Sequence, residues 1–351
     1  MSFFEVLFPK KKNGESVILI AIGTQGVSGA YVHYQEGESP VLLYTRHLPI
    51  EIRKDEAHER AMLRTLHILG GDLIREGAPI LARMTGSGSA HMILVSIDAP
   101  WQETTVRTEH FEQKEPFMFT KGLVTEKLKE VTLAPSEKLL ADESIIGTIL
   151  NGYETQHPYG RKVHRASIII LTSLIERNVA HDIIATLTGL FHTKSILPIA
   201  GNSLRYQAMR TIFPHERDVI MIDATGGSLT SFALVRKGIF VVMAELTTPS
   251  SEEGWLVAVT SKLAEISKNY PLPRTIFLLA HESDLPALRQ KLDTAHFTGL
   301  WLSDNPPKIV SIMKNSMTGS IRHMTTNVPD VVLLLMTLYY EKRRSASKES
   351  I

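Results

Sequence analysis

The sequence predicts an α/β protein built from two related halves, each of which opens with a β-hairpin around a glycine-containing turn. Near the N-terminus, an apolar and largely β-branched run over 17–22 leads into the turn Gly23-Thr-Gln-Gly26. At 219–223 a second apolar run leads into the turn 224–230, which reads Ala-Thr-Gly-Gly-Ser-Leu-Thr. Apolar runs bounded by glycine turns are typical of strands that pair as a hairpin.

Both hairpins continue into the same order of elements, which indicates an internal repeat. In the first copy the second strand spans 27–34, a turn spans 35–40 and a third strand spans 41–45. A helix over 55–76 is predicted because its apolar residues recur with a helical period. The second copy has two further strands, a helix and a last strand at 231–235, 239–246, 252–269 and 275–279.

Alternating strands and helices are also predicted between the two copies. A polar, glycine-rich loop spans 85–90, and the polar stretch 134–142 is predicted as a loop or a frayed helix. The strands of this middle region are predicted at 91–97, 104–111, 145–153 and 166–172. Its helices are predicted at 120–129, 178–191 and 204–212.

The composition excludes several classes of function. The hydrophobic fraction of 43% and the charged fraction of 21% are ordinary for a globular protein. The net charge of +1 provides no strong field for nucleic acid. Because the chain has no cysteine, disulfides, thiolate metal sites and cysteine nucleophiles are excluded. The zinc motif His-Glu-x-x-His, the Gly-x-Ser-x-Gly elbow and the Walker P-loop do not occur either, and no metal site is predicted.

The distribution of apolar residues predicts a cytoplasmic protein. No apolar run reaches the roughly 18 residues that span a bilayer. The N-terminus has its apolar part, from Phe3 to Phe8, before its lysines at 10–12, which is the reverse of a secretory signal. The segment 3–12 could contact an anionic membrane surface peripherally, or it could pack on its own domain or on a partner.

Glycine turns at strand ends can bind phosphate, because glycine lets several backbone N–H groups point the same way and lets a ligand approach closely. A carboxylate at the end of the preceding strand would then orient magnesium or its bound waters. The second copy has Asp223 at this place, whereas the first copy has Ala21. Taken alone, either glycine turn is more often a simple hairpin turn.

Three short stretches carry a family resemblance. They are 21–28 (Ala-Ile-Gly-Thr-Gln-Gly-Val-Ser), 223–230 (Asp-Ala-Thr-Gly-Gly-Ser-Leu-Thr) and 150–160 (Leu-Asn-Gly-Tyr-Glu-Thr-Gln-His-Pro-Tyr-Gly). The first two resemble the phosphate loops Asp-Ile-Gly-Ser-Ser-Ser-Val-Lys and Asp-Ile-Gly-Gly-Gly-Thr-Thr-Asp of the actin-like ATPase superfamily. The third resembles the Asn-Gly-Tyr…Asn-Pro-Leu-Gly passage of the cell-division protein FtsA. That passage lies in the small subdomain peculiar to FtsA and to PilM of pilus assembly.

The resemblance implies an actin-like, RNase H-like α/β fold of two related halves around a cleft, with a small α/β subdomain inserted as in FtsA and PilM. The expected parts are an N-terminal basic and apolar arm, the first half, the inserted subdomain, a return helix of the first half, the second half and a disordered basic tail. Their expected bounds are 1–16, 17–90, 91–195, 196–218, 219–340 and 341–351.

The resemblance also implies ATP and magnesium as ligands. The residues it assigns to phosphates and magnesium are Gly23, Thr24, Gln25, Asp223, Gly226, Gly227 and Ser228. Four departures from the family pattern predict a degenerate site that binds ATP weakly or not at all. Ala21 replaces an acid, Ser28 a lysine and Thr230 a second acid. The adenosine loop, expected at 279–284, contains no glycine.

We therefore expect a non-catalytic scaffold that links a membrane complex, of either pilus assembly or cell division, to the cytoplasm. Partners are expected on the inserted subdomain and on the outer face of the second half, and self-association into filaments or dimers would fit the family. Two alternatives remain open. One is a competent ATPase that polymerises or changes conformation with nucleotide. The other is an enzyme of the sugar-kinase branch, for which the sequence offers no convincing acid.

Overall fold

The computed structural model describes residues 14–131, 135–155, 157–249, 251–297, 299–301, 305–317, 319–325 and 327–349. They form an α/β protein, as predicted, and the chain divides into two compact units. The first unit is made of Met1–Asp98, Val179–Phe213 and Met313–Ile351, and the second of Ala99–Asn178 and Pro214–Ile312. The segment 3–12, predicted as a basic and apolar arm, lies outside the described residues.

The elements are numbered in chain order. The strands are β1 (Glu15–Ile22), β2 (Gly26–Tyr34), β3 (Val41–Pro49), β4 (Met92–Ile97), β5 (Gln102–Phe119), β6 (Lys138–Leu150), β7 (Tyr153–Glu154), β8 (Arg161–Glu176), β9 (Ile196–Ala200), β10 (Val219–Gly226), β11 (Leu229–Arg236), β12 (Ile239–Thr247), β13 (Thr275–Leu279), β14 (Lys308–Ser311) and β15 (Arg322–His323). The helices are α1 (His58–Asp72), α2 (Ala78–Thr85), α3 (Lys121–Val131), α4 (Arg177–Phe191), α5 (Gly201–Ile212), α6 (Glu252–Ser267), α7 (Leu285–Thr294) and α8 (Val331–Glu349). A π-helical segment, Leu73–Gly77, joins α1 to α2, and a short 3-10 helix spans Lys314–Met317.

The first unit contains a six-stranded sheet in the order β15-β3-β2-β1-β4-β9. Strand β1 is antiparallel to β2 and parallel to β4. From Ser16 to Ile22 every side chain of β1 is buried, as expected for a strand with neighbours on both sides and helices on both faces. This burial explains why the sequence of β1 is a continuous apolar run rather than an alternating one.

Helix α8 belongs to the first unit and packs against α5, β1 and β2. Its first ten residues, the longest apolar run of the sequence, are all buried. The helix continues to Glu349, so the prediction of a disordered tail over 341–351 is wrong for 341–349. The side chain of Arg344 in this stretch is only 10% exposed. It donates to the backbone oxygen of Gln35 over 3.2 Å and lies 5.5 Å from the ring centre of Tyr34.

The second unit contains a five-stranded sheet in the order β12-β11-β10-β13-β14. Its central strand β10 is antiparallel to β11 and parallel to β13, which repeats the arrangement of β1 with β2 and β4. Helices α6 and α7 cover one face, where Phe232, Trp255 and Leu278 are buried in the core. Apart from β15, which has no counterpart, the two sheets share the same strand order and directions, and this is the repeat that the two hairpins predict.

A four-stranded antiparallel sheet, in the order β5-β8-β6-β7, forms the rest of the second unit. Its core against α3 includes Phe111, Phe119 and Ile168. Strand β5 also lies against β12 of the five-stranded sheet, where the Gln102 amide donates to the Glu245 carboxylate over 2.8 Å.

The inserted segment is shorter than the sequence suggested. Strand β4 pairs with β1 in the first sheet, so the expected boundary of the insert at residue 91 differs from the strand pairing. Helix α4 and strand β9 likewise lie mostly or wholly in the first unit. The sequence could not separate these cases, because a buried strand of the main sheet and one of an inserted sheet are both short apolar runs.

Within the described part of the chain, no helix combines the length and the hydropathy that crossing a bilayer requires.

We predict that Arg344→Ala lowers the free energy of unfolding by about 1–2 kcal/mol, because it removes a hydrogen bond and a cation–π contact from a nearly buried side chain. The matched control is Lys342→Ala on the same helix, an exposed residue that should change stability by less than about 0.5 kcal/mol. Urea unfolding of both variants measures the difference. Equal losses would show that 341–349 contributes nothing specific to the fold.

Candidate functional site

The first glycine turn is closed by its own backbone and fixed by two neighbours. The Gly23 amide donates to the Gly26 oxygen over 2.9 Å. The Thr24 oxygen accepts from His58 Nε2 over 2.8 Å, and the Gln25 oxygen accepts from the Ile50 amide over 2.8 Å. In a trans peptide the C=O and the following N–H point in opposite directions. The Gln25 amide therefore points away from His58, and it has no partner among the described residues.

A buried ion pair lies beside this turn. Asp98 directly follows β4, and its Oδ2 lies 3.9 Å from the place that a Cβ atom at Gly23 would occupy. Its Oδ1 accepts from Arg205 Nη1 of α5 over 2.7 Å. Arg205 also donates to Asn202 Oδ1 over 2.9 Å. The side chains of Arg205 and Asp98 are 4% and 9% exposed, so the two charges neutralise each other away from solvent.

The start of α5 is shaped around this carboxylate. A Cβ atom at Gly201 would lie 1.7 Å from Asp98 Oδ1, so any side chain at Gly201 would displace the acid. Sequence reasoning missed Asp98, because it looked for the acid on β1, where Ala21 stands. The sequence did contain a signal for Asp98, because this acid directly follows the apolar strand 92–97. An acid at the end of a strand is what the search on β1 was looking for.

Ser28, at the position where the family pattern places a lysine, is held inside the first unit. It is 2% exposed, and its hydroxyl donates to Asp330 Oδ2 over 2.9 Å. The same hydroxyl lies 2.9 Å from His47 Nδ1. Asp330 in turn caps α8, since its Oδ1 accepts from the Val332 amide over 3.0 Å. The Ser28 side chain is therefore used in joining β2 to the start of α8.

The second glycine turn is closed by a side chain. Asp223 is buried, and its Oδ1 accepts from both the amide and the hydroxyl of Thr225, over 3.0 and 2.6 Å. Gly226 pairs with Leu229 across a two-residue turn of Gly227 and Ser228. Gly227 has a φ of 67°, in the left-handed region that glycine adopts without strain. The Ser228 oxygen accepts from the Thr248 amide over 2.7 Å.

The segment expected to bind adenosine contacts the second turn. His281 Nε2 donates to the Thr225 oxygen over 3.0 Å, and the His281 oxygen accepts from the amides of Asp284 and Leu285 at the start of α7. A side chain that bonds to the turn thus stands where the family has a glycine run. These contacts hold the loop against the second turn and the start of α7.

Thr230, where the family pattern has its second acid, is fully buried and uncharged. Its hydroxyl accepts from the Trp255 indole N–H over 3.0 Å and lies 3.4 Å from the Thr248 hydroxyl. The position therefore joins β11 to α6. Across the residues that the structure describes, no group of three or more histidine, aspartate or glutamate side chains is arranged to hold a metal ion.

The predicted site residues fall into two groups. Gly23, Thr24 and Gln25 form the turn of the first unit, and Asp223, Gly226, Gly227 and Ser228 form the turn of the second. Each turn follows an apolar strand, as the sequence predicted, and that strand has a neighbour on both sides in its sheet. The partners of these residues, notably His58 and His281, were not predicted, because they come from distant parts of the sequence.

Comparison with known proteins identifies the fold. No family model and no curated protein matches the sequence. A solved chain of the PilM–PilN type IV pilus biogenesis complex matches over 93% of this chain and 98% of its own, with a TM-score of 0.57 and 13% identity. A Bacteroides thetaiotaomicron protein with an actin-like ATPase fold matches over 88% and 94%, with a TM-score of 0.45 and 9% identity. The chain has the actin-like ATPase fold. The predicted fold class is confirmed, and at this identity the match shows the fold alone.

We predict that Asp98→Asn lowers the free energy of unfolding by about 3–5 kcal/mol, because it leaves the Arg205 guanidinium buried without its counter-charge. Arg205→Met should cost a similar amount for the converse reason. The double variant should lose less than the sum of the two, with a coupling of about 1–3 kcal/mol. Denaturant unfolding of the three variants measures this coupling, and strictly additive losses would contradict the ion pair.

Proposed function

We propose that this actin-like chain is a cytoplasmic scaffold of a membrane-associated machinery, in type IV pilus assembly or cell division, and that its nucleotide site is degenerate. One observation carries the second part. The three positions where the family has two acids and a lysine hold the uncharged, buried residues Ala21, Thr230 and Ser28. The hydroxyls of Ser28 and Thr230 are bonded within their own units, to Asp330 and Trp255.

These replacements argue against tight ATP binding on energetic grounds. Binding of a triphosphate with magnesium needs cations and oriented carboxylates. Each lost charged contact weakens ATP binding, and every loss of about 1.4 kcal/mol in binding free energy lowers the affinity about tenfold. Ser28 would also have to leave Asp330 before it could reach a phosphate. His281, bonded to Thr225, would have to leave its place to admit a base and ribose.

The runner-up is a nucleotide-competent actin-like ATPase, and Asp223 favours it. In that function the amides of both turns, at Gly23, Thr24, Gln25, Gly226, Gly227 and Ser228, would donate to phosphates. Asp223 would help to position magnesium, and the unpartnered Gln25 amide is the group best placed to donate. A sugar-kinase-like function is not favoured, because the other acid beside a turn, Asp98, is already paired with Arg205 and is a poor general base.

We predict that isothermal titration calorimetry detects no ATP binding tighter than about millimolar, with or without magnesium, because too few charged contacts remain. The informative variant is Asp223→Ala, and the matched control is Asp218→Ala, an exposed acid just before the same strand. Micromolar affinity for ATP that is lost in Asp223→Ala and kept in Asp218→Ala would overturn the degenerate site and establish the runner-up.

The scaffold part of the proposal rests on the fold and on exposed side chains of the four-stranded sheet. The matched PilM–PilN chain belongs to a type IV pilus biogenesis complex. In this chain the sheet formed by β5, β8, β6 and β7 exposes Tyr153 to 80% and Met118 to 53%. Exposed tyrosine and methionine are enriched in protein interfaces. We place the partner on this sheet, in line with the docking expected for the inserted subdomain.

We predict that the tagged protein captures a membrane protein from detergent-solubilised membranes of its own cells, and that Tyr153→Asp or Met118→Asp reduces the capture by tenfold or more. Each change places a charge where an apolar contact is proposed. The control is Val257→Asp, at a side chain of α6 that is 70% exposed and lies outside the four-stranded sheet. The identity of the captured protein distinguishes pilus assembly from division. Failure of the purified protein both to self-associate and to capture any partner would refute the scaffold role.

A further inference from the structure

One buried tyrosine differs from all other buried tyrosines in the described residues. The other five buried tyrosines each have a hydroxyl that is hydrogen-bonded within the first unit. They are Tyr34, Tyr44, Tyr206, Tyr339 and Tyr340. Tyr31 of β2 is 1% exposed, and its hydroxyl forms no hydrogen bond with any residue that the structure describes. Buried tyrosine hydroxyls are normally paired. The Tyr31 oxygen is not among the described side-chain atoms that are both sealed from solvent and unpaired, so it remains accessible to a small molecule.

The pKa of Tyr31 is raised for a reason that fits a hydroxyl without a hydrogen-bond partner. Burial alone raises the pKa of Tyr31 to about 12. At Tyr44 the pKa is also raised to about 12, by burial first, but there the hydrogen bond to Glu76 contributes as well. The Tyr31 hydroxyl is therefore available to form a hydrogen bond with a ligand.

Tyr31 lines a cavity of about 190 Å³ in the first unit, and this cavity is partly open to solvent. Its walls come from the sheet, from the segment between α1 and α2 and from α4, and include Ile18, Ile93, Ile74, Leu190 and Phe191. The glycine-rich loop singled out in the sequence contributes Gly88, Ser89 and Ala90. No acid, lysine or arginine lines the cavity. An apolar cavity of about 150 Å³ is large enough to bind benzene, so this one can take a ring or a branched chain of similar size.

We propose that this cavity is a binding site for a small, uncharged and mainly apolar molecule whose single oxygen or nitrogen pairs with the Tyr31 hydroxyl. The apolar walls would supply most of the affinity, and the hydroxyl would orient the ligand. A charged ligand is disfavoured, because the lining offers no counter-ion to offset the loss of hydration.

The cavity next to it is polar, and its lining contains no acid, lysine or arginine. It has a volume of about 420 Å³, and it shares Ser89 and Ala90 with the first. His91 Nδ1 accepts from the Ser16 amide over 3.0 Å. Burial first, then the nearby His91 and Arg344, lower the pKa of His33. A polar substituent of the ligand would thus find hydrogen-bonding groups there.

Phenol and toluene are the probes that test the site, because they have nearly the same shape and only phenol can bond to Tyr31. Titration of the full-length protein, followed by NMR chemical shifts, should show both probes binding with millimolar affinity or better. In Tyr31→Phe the dissociation constant of phenol should rise about fivefold, while that of toluene stays within twofold. The control is Tyr206→Phe, a buried tyrosine of α5 that does not line the cavity and should change neither constant.

A second variant fills the cavity instead of altering its hydroxyl. Ala78 of α2 lies in the wall, and Ala78→Leu should weaken the binding of both probes by tenfold or more while the protein remains folded by circular dichroism. The proposal is overturned if neither probe binds, as expected for a cavity filled by water. It is also overturned if Tyr31→Phe leaves phenol unaffected, or if Ala78→Leu affects neither probe.

Discussion

The ion pair between Asp98 and Arg205 is the interaction on which the first half of the candidate site depends. It joins the end of β4 to the first turn of α5 and lies against the first glycine turn. Two buried charges are expensive to desolvate. The pair is stabilised by the bond from the guanidinium to Asn202, and Gly201 leaves room for the carboxylate. The arrangement makes Asp98 a fixed structural group beside the turn, with its charge already balanced.

The sequence was sufficient for the repeat because the central strands are buried on both faces. Such strands must be continuous apolar runs, and the turns that follow them need glycine, so both copies carry a local signal at β1 and β10. The shared strand order then follows from the same succession of elements in each copy. The fold could be predicted to this level because each part of the signal lies within a few residues of the element that it specifies.

Other features could not be predicted, because they depend on contacts between distant residues. Asp98 and Arg205 are 107 positions apart, and Ser28 and Asp330 are 302 apart. The helical stretch 341–349 is polar in sequence, and its burial against the first unit depends on Arg344 meeting Tyr34 and Gln35. The expected start of the insert at residue 91 differs from the strand pairing for a related reason. Only the pairing of β4 with β1 shows to which sheet β4 belongs.

The two glycine turns are closed in different ways, and only the second uses an acid. In the first copy Ala21 pairs with Ser28 and Ser96 inside the sheet, and the turn is closed by the bond between Gly23 and Gly26. In the second copy the turn is closed by Asp223, whose carboxylate accepts two hydrogen bonds from Thr225. Loss of this carboxylate would leave a buried amide and hydroxyl unpaired, at a cost of about 1–3 kcal/mol each. Asp223 therefore has a structural role in the turn whether or not a nucleotide binds, so the support that it gives to the runner-up is limited.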